Sequence, residues 1–165
     1  MPAILSAHKM KFSGIFITRA AEILLIGLSL FMALLILQKP DAIGPVHYDF
    51  GGNADGFGKQ SSLFFIPLTG LVLYLSLKWA KSYKNYFNFP VAITPENRER
   101  QEKLAFRLID VYCILSLLIF NLIGLNILLS FGSSHNSAGL LIGLLFGIIY
   151  LVPLWVYIRK AKQIG

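Results

Sequence analysis

Apolar and polar positions along the chain fall into four long apolar runs separated by polar segments of unequal length. The runs cover about 16–38, 61–80, 105–131 and 138–158. Each holds about 20 residues or more, which at 1.5 Å per residue crosses a hydrocarbon layer roughly 30 Å thick. The pattern predicts four transmembrane helices. A basic start with His8, Lys9 and Lys11 precedes the first run, an arrangement shared with secretory signals. That run is longer than a usual signal core, and it ends at Leu37-Gln38-Lys39-Pro40 without a small-x-small cleavage pattern. It therefore reads as a retained span. Arg19 and Glu22 stand at i,i+3 near its start and are placed to pair, with Arg19 able to snorkel. Pro67 falls in the first turns of the second span, where a kink costs little, and Pro153 falls near the end of the fourth.

Three polar segments join the runs. The first, 39–59, reads KPDAIGPVHYDFGGNADGFGK, and its prolines and glycines keep it out of regular helix. The second, 81–103, contains Thr94-Pro95-Glu96, a hydroxyl cap followed by proline and an acid, which is a good helix start. Asn97 occupies the place where a capping box wants Glu or Gln, so a full box is not expected. Glu96–Arg100 and Glu99–Lys103 are i,i+4 pairs on a solvated extension expected to enter the membrane at about Phe106. The third, 132–137, is a short turn without formal charge. Aromatic residues Trp79, Tyr83, Tyr86, Trp155 and Tyr157 flank the second and fourth spans, as interfacial belts do.

Composition sharpens the class. Of 165 residues 56% are hydrophobic and 14% charged, with a mean hydropathy of +0.67. Soluble domains carry about 25% charged residues, so this chain lacks roughly half their solvating charge. The net charge of +7 does not indicate nucleic acid, because the basic residues sit beside the spans and no nucleic-acid motif is present. Thirteen of the 15 Lys and Arg residues lie within 9–19, 78–107 and 159–162, and only two lie in 39–59. By the positive-inside rule both termini are cytoplasmic and 39–59 faces outward. Cys113 is the single cysteine, which excludes an intrachain disulfide and makes a cysteine metal site unattractive. The expected architecture is all-α: one polytopic membrane domain over 1–165, a four-transmembrane-helix bundle with an irregular extracytoplasmic loop between helices 1 and 2.

Candidate chemistry concentrates in that loop. His47, Asp49, Asn53 and Asp55 form its dense polar cluster, interleaved with Tyr48, Phe50 and Phe57. The residues singled out for ligand binding or loop structure are Pro45, His47, Tyr48, Asp49, Gly52, Asp55, Gly56, Phe57 and Lys59. The aromatic members are expected to lie against the membrane surface or the helix ends. His47, Asp49 and Asp55 offer about three donors, near the minimum for a catalytic zinc site, but their spacing matches no zinc motif. As acid–base groups they lack an identifiable nucleophile and oxyanion site. The plainer reading is that these side chains tie the loop's own turns together. Within the spans, Asn121 and Asn126 are read as interhelical hydrogen-bonders, and Gly139, Gly143 and Gly147 as a small-residue stripe for close helix packing.

One series carries a resemblance: Pro40-Asp41, Ile43, Pro45-Val46-His47-Tyr48-Asp49, Gly52-Asn53-Ala54-Asp55-Gly56-Phe57-Gly58-Lys59, then Pro67 in the next helix. It resembles a bacterial domain-of-unknown-function membrane family shared with the N-terminal part of SdpI-type immunity proteins. The likeness covers roughly 20–80, and 89–101 resembles a segment that follows the domain in some members. Gly51-Gly52-Asn53 and Asp49 depart from the usual pattern. The resemblance implies a bacterial inner-membrane location and, in the immunity branch, protection against a secreted peptide toxin.

The expectation is thus a non-enzymatic, multi-pass protein of the bacterial cytoplasmic membrane. Its 39–59 loop senses or recognises a peptide toxin or an envelope component. Two other classes stay open. One is a small, oligomeric transporter or channel subunit using Glu22, Asn121 and Asn126 along a polar path; the other is a metal-assisted membrane hydrolase using His47, Asp49 and Asp55. No cofactor and no nucleic-acid partner are expected; the bilayer is, and a homo-oligomer is compatible.

Overall fold

The computed structural model describes residues 2–49, 51–136 and 139–165, with side chains described for all of these but 2–15 and 140. Phe50 and the side chains of His8, Lys9 and Lys11 lie outside the described residues. The order is α1 (Pro2–Leu37), β1 (Ile43–Tyr48), β2 (Ala54–Lys59), α2 (Phe65–Ala80), α3 (Arg98–Leu129) and α4 (Gly139–Gln163). Short 3₁₀ turns, Gln60–Phe64 and Lys81–Tyr86, flank α2. Four stretches are long and apolar enough to cross a membrane: Phe16–Leu37, Gln60–Tyr86, Arg98–Leu129 and Leu141–Gln163. The protein is a membrane-embedded helical bundle, as the hydropathy pattern predicts.

Element ends follow from local chemistry. The 16 residues of α2 rise only about 24 Å, and its flanking 3₁₀ turns, stretched to about 2 Å per residue, supply the rest of the crossing. Pro67 is the third residue of α2, where a helix has no internal partner for the missing N–H. At the start of α3, the Thr94 amide donates to Asn97 Oδ1 at 2.9 Å and the Asn97 amide donates to Thr94 Oγ1 at 3.3 Å. A reciprocal capping box therefore forms after all, with the Asn97 amide side chain, buried and also donating to Ala92 O, in place of Glu or Gln. Thr94 also holds the neighbouring Glu96 carboxyl below its usual range.

α3 is the central element, packed against α1, α2 and α4. Two of its contacts are close approaches at single glycines. A Cβ on Gly124 would stand 2.8 Å from Met32 Sδ of α1, and one on Gly70 of α2 would stand 2.8 Å from Phe120 Cβ. Asn121 joins α3 to α1, donating to Leu25 O at 3.1 Å and to Ser29 Oγ at 3.0 Å, the interhelical role expected of it. A buried cluster of Met32, Ile36 and Leu63 closes the bundle at the end nearest the strands. α4 lies at the periphery along α3, joined to it by the stacked rings of Tyr112 and Tyr150 and by the Gln101 side chain donating to Ala161 O.

The chief departure from expectation is the 39–59 segment. It is a two-stranded antiparallel hairpin rather than an irregular loop, pairing Ile43 with Lys59, Gly44 with Gly58, Pro45 with Phe57, His47 with Gly56 and Tyr48 with Ala54. The register is irregular around His47. Proline is tolerated because a two-stranded sheet consists of edges only.

Candidate functional site

The hairpin is a strap laid across one end of the bundle. At its base, the Gln60 and Ser61 amides donate to Ala42 O and Pro40 O at 2.8 and 3.1 Å. The buried Gln60 side chain donates to Ile36 O at 3.1 Å, occupying a carbonyl that the end of α1 leaves without a helical partner. Lys59 Nζ meets Asp41 Oδ1 at 2.7 Å, which lowers the Asp41 carboxyl and raises the Lys59 ammonium from their ordinary ranges. At its tip, the Asp49 amide donates to Asn53 O at 2.9 Å and the Gly52 amide to Asp49 O at 3.0 Å. Asp49 Oδ1 accepts from the Asn53 amide at 2.8 Å, and this bond holds the carboxyl below its usual range.

The tip is bound in turn to the turn between α3 and α4. The Asn136 amide donates to Gly52 O at 2.7 Å and the Ala54 amide to Ser134 O at 3.0 Å, with a bridge between Asn53 and His135. Asn126, expected to bond another helix, instead meets the Asn136 side chain within this turn. Tyr48 donates to Ser130 O at 2.8 Å, at the C-terminus of α3, and burial raises its phenol above the usual value. Val46 packs on the Met32–Ile36–Leu63 cluster, and Gly44 lies against the Phe131 ring. Both ends and the inner face of the strap are therefore tied down.

The outer face carries what remains. Ile43 and Phe57 are exposed, Phe57 at 67%, so of the two places expected for Phe57, the membrane surface and the helix ends, it does not take the second. His47 Nδ1 and Asp55 Oδ1 stand 2.5 Å apart with side chains 70% and 46% exposed. Nδ1 is thus engaged with one Asp55 oxygen, which leaves Nε2 and the second oxygen as the pair's other polar atoms. Beside His47 opens a cleft of about 260 Å³ between α3 and α4. His47, Tyr48, Asn126 and Asn136 line its polar end, Ile123 and Ile127 form one wall, and Ile142 and Phe146 form the other. Gly139 and Gly143 also face it, and among the described residues nothing lies within 4 Å of a Cβ built on Gly139, Gly143 or Gly147. Within this chain, then, the glycine stripe leaves open space where close helix packing was expected. The close approaches fall on Gly70 and Gly124.

The triad considered for a metal is not assembled. Asp49 is turned to Asn53, while His47 pairs with Asp55. Among the described residues no group of three His, Cys, Asp or Glu side chains is placed to hold a metal ion.

At the opposite end of the bundle a second polar cluster crosses three helices. Glu22, only 2% exposed, meets Arg19 at 3.2 Å, Lys78 at 2.5 Å and Tyr74 OH at 3.3 Å. Lys78 also reaches Asp110 at 3.2 Å, and Lys81 reaches it at 2.5 Å. The Arg19–Glu22 pair is as the spacing predicted; the partners from α2 and α3 could not be read from spacing. Glu22, Asn121 and Asn126, the residues named for a polar path, each belong to a separate bonded group.

Comparison with protein-family models, with curated proteins and with solved structures found no match to this chain.

Proposed function

We propose that this is a multi-pass protein of a bacterial cytoplasmic membrane that binds an extracytoplasmic ligand, a peptide or an envelope component, at the strap end. The proposal is for a binding role rather than a catalytic one. The uneven distribution of Lys and Arg supports an orientation with the strap outward and both termini in the cytoplasm. One observation carries the recognition role: His47, exposed and paired with the half-exposed Asp55, lines a cleft beside a strap otherwise fixed at both ends. A pair this exposed contributes little to stability, so a fold has small need of it. Rigid scaffolds presenting unsatisfied polar and aromatic groups are what recognition loops require.

The test is alanine substitution at His47 and at Asp55 with protein level monitored. The expected outcome is that each variant reproduces the phenotype of a gene deletion at unchanged abundance; wild-type behaviour would refute the role. The toxin-immunity form of this reading rests on the resemblance to SdpI-type proteins. It predicts that expression protects a sensitive host against a secreted toxic peptide, and that His47→Ala abolishes the protection.

A further inference from the structure

We infer that the cleft between α3 and α4 seats a single hydrocarbon chain bearing a protonated amine head group, with the amine held at the His47–Asp55 pair. This rests on the reading of the strap end as the recognition end and adds the class of ligand.

Shape and lining argue for the chain. Both walls, Ile123 and Ile127 against Ile142 and Phe146, belong to stretches apolar enough to span the membrane. Water in such a space would find too few polar partners, whereas hydrocarbon loses nothing by entering. The volume of about 260 Å³ lies below the roughly 300–1,000 Å³ of sites for larger ligands, which suits one chain and not two. Glycines at 139 and 143 keep the space free on the α4 side. Polar groups occur at one end only, so an amphiphile enters in one orientation.

Charge argues for the amine. The pair is joined through His47 Nδ1 and Asp55 Oδ1, which leaves the imidazole Nε2 and the second Asp55 oxygen for a ligand and brings a carboxyl group beside His47. The tip adds Asp49, whose bond to the Asn53 amide favours its ionised form. Tyr48, whose hydroxyl donates to Ser130 O, also lines the cleft, and the backbone bridge to Asn53 brings in His135 from the neighbouring turn. No Lys or Arg lies between residues 40 and 58, and Lys59 at the strap's base is paired with Asp41. A primary ammonium has three donors and no acceptor, which matches this set; a carboxylate or phosphate head would meet repulsion.

The experiment uses the full chain in phosphatidylcholine nanodiscs with radiolabelled dodecylamine, dodecanoate and dodecanol, each corrected for partition into empty discs. Dodecylamine should show a saturable excess of one molecule per chain, and dodecanoate none. Gly143→Leu fills the cleft without touching the pair and should weaken dodecylamine at least about tenfold, with Gly143→Ala giving a partial loss should the larger side chain disturb assembly. Asp55→Asn should weaken dodecylamine about tenfold and bring it level with dodecanol, because a charge-assisted bond is lost. Ile43→Ala, at the exposed base of the strap and away from the cleft, should change nothing. Dodecanoate binding as well as dodecylamine, or dodecylamine binding unaltered by both Gly143→Leu and Asp55→Asn, would overturn the inference. Absence of dodecylamine binding alongside the deletion phenotype in His47→Ala would sink the amine while leaving recognition at the strap standing. Dodecylamine binding with wild-type behaviour in His47→Ala would do the reverse.

Discussion

Gly52 shows how much of the strap rests on one backbone position. Its φ is +84°, a left-handed conformation in which a side chain is strained, and a Cβ there would stand 2.3 Å from Asn136 O. Gly52→Ala should therefore cost at least about 1–2 kcal/mol in conformational strain alone and loosen the tip from the α3–α4 turn. Unfolding of the detergent-solubilised protein in a mixed-micelle titration measures the cost; an unchanged midpoint would contradict the geometry. Asp49 makes a pH prediction at the same tip. Its carboxyl is lowered from 3.8 in the folded strap, chiefly by the Asn53 amide. A lowered acid stabilises above its unfolded value and loses that contribution as pH falls through the folded one. The amide proton of Asn53 should thus keep a constant, hydrogen-bonded shift from pH 7 to about 4 and move upfield only below it, with Asp49→Asn removing the transition. The roles of Pro40, Gly44 and Gln60 at the strap's base were not evident from their neighbours in sequence. What reveals Gln60 is the unpaired end of α1, a consequence of where the chain folds back.

At the scale of elements, the four apolar runs were legible because length and hydropathy alone decide which segments a bilayer can hold. The hairpin was harder, because glycine and proline are read as loop punctuation. Yet Ala54, Gly56 and Gly58 alternate with Asp55, Phe57 and Lys59 through β2, small inward against charged or aromatic outward. That period of two was the available signal. Helix packing taught the opposite lesson. Among the described residues the conspicuous stripe of Gly139, Gly143 and Gly147 meets nothing, while the isolated Gly70 and Gly124 are where helices touch. Spacing finds small residues; only packing says which of them face a neighbour. Gly124→Leu should destabilise the α1–α3 contact by about 1–3 kcal/mol, since Ile66 and the buried Met32 already crowd a Cβ there, whereas Gly147→Leu should be near neutral. Equal effects in the same micelle titration would contradict this contrast.

Taken whole, the bundle of α1, α2 and α3 is clamped at both ends, by the strap on one side and by the Glu22 cluster on the other. Glu22 is buried and answers to cations and a hydroxyl from α1 and α2, so Glu22→Ala leaves Lys78 with Asp110 as its remaining partner. Removing one member of a buried pair costs about 3–5 kcal/mol, and the second partner places this case at the low end. Glu22→Gln should cost less, because the amide still bonds to Tyr74 or Lys78. α4 stands outside this clamp, and the cleft exists because it leans on α3 through Tyr150 and Ala161 while leaving Gly139 and Gly143 apart. Sequence pointed to the strap's polar residues but not to the cleft, whose helical walls come from residues at least 76 positions beyond His47 in the chain. A cavity of that kind has no signature in spacing.

The central claim is that the strap meets the space outside the cytoplasm. Phe57→Cys in a Cys113→Ser background places one exposed thiol on the strap's outer face and removes the buried one. Treated as intact cells with a membrane-impermeant maleimide, this protein should be labelled fully without permeabilisation. Labelling only after the membrane is breached would put the strap in the cytoplasm and end the account.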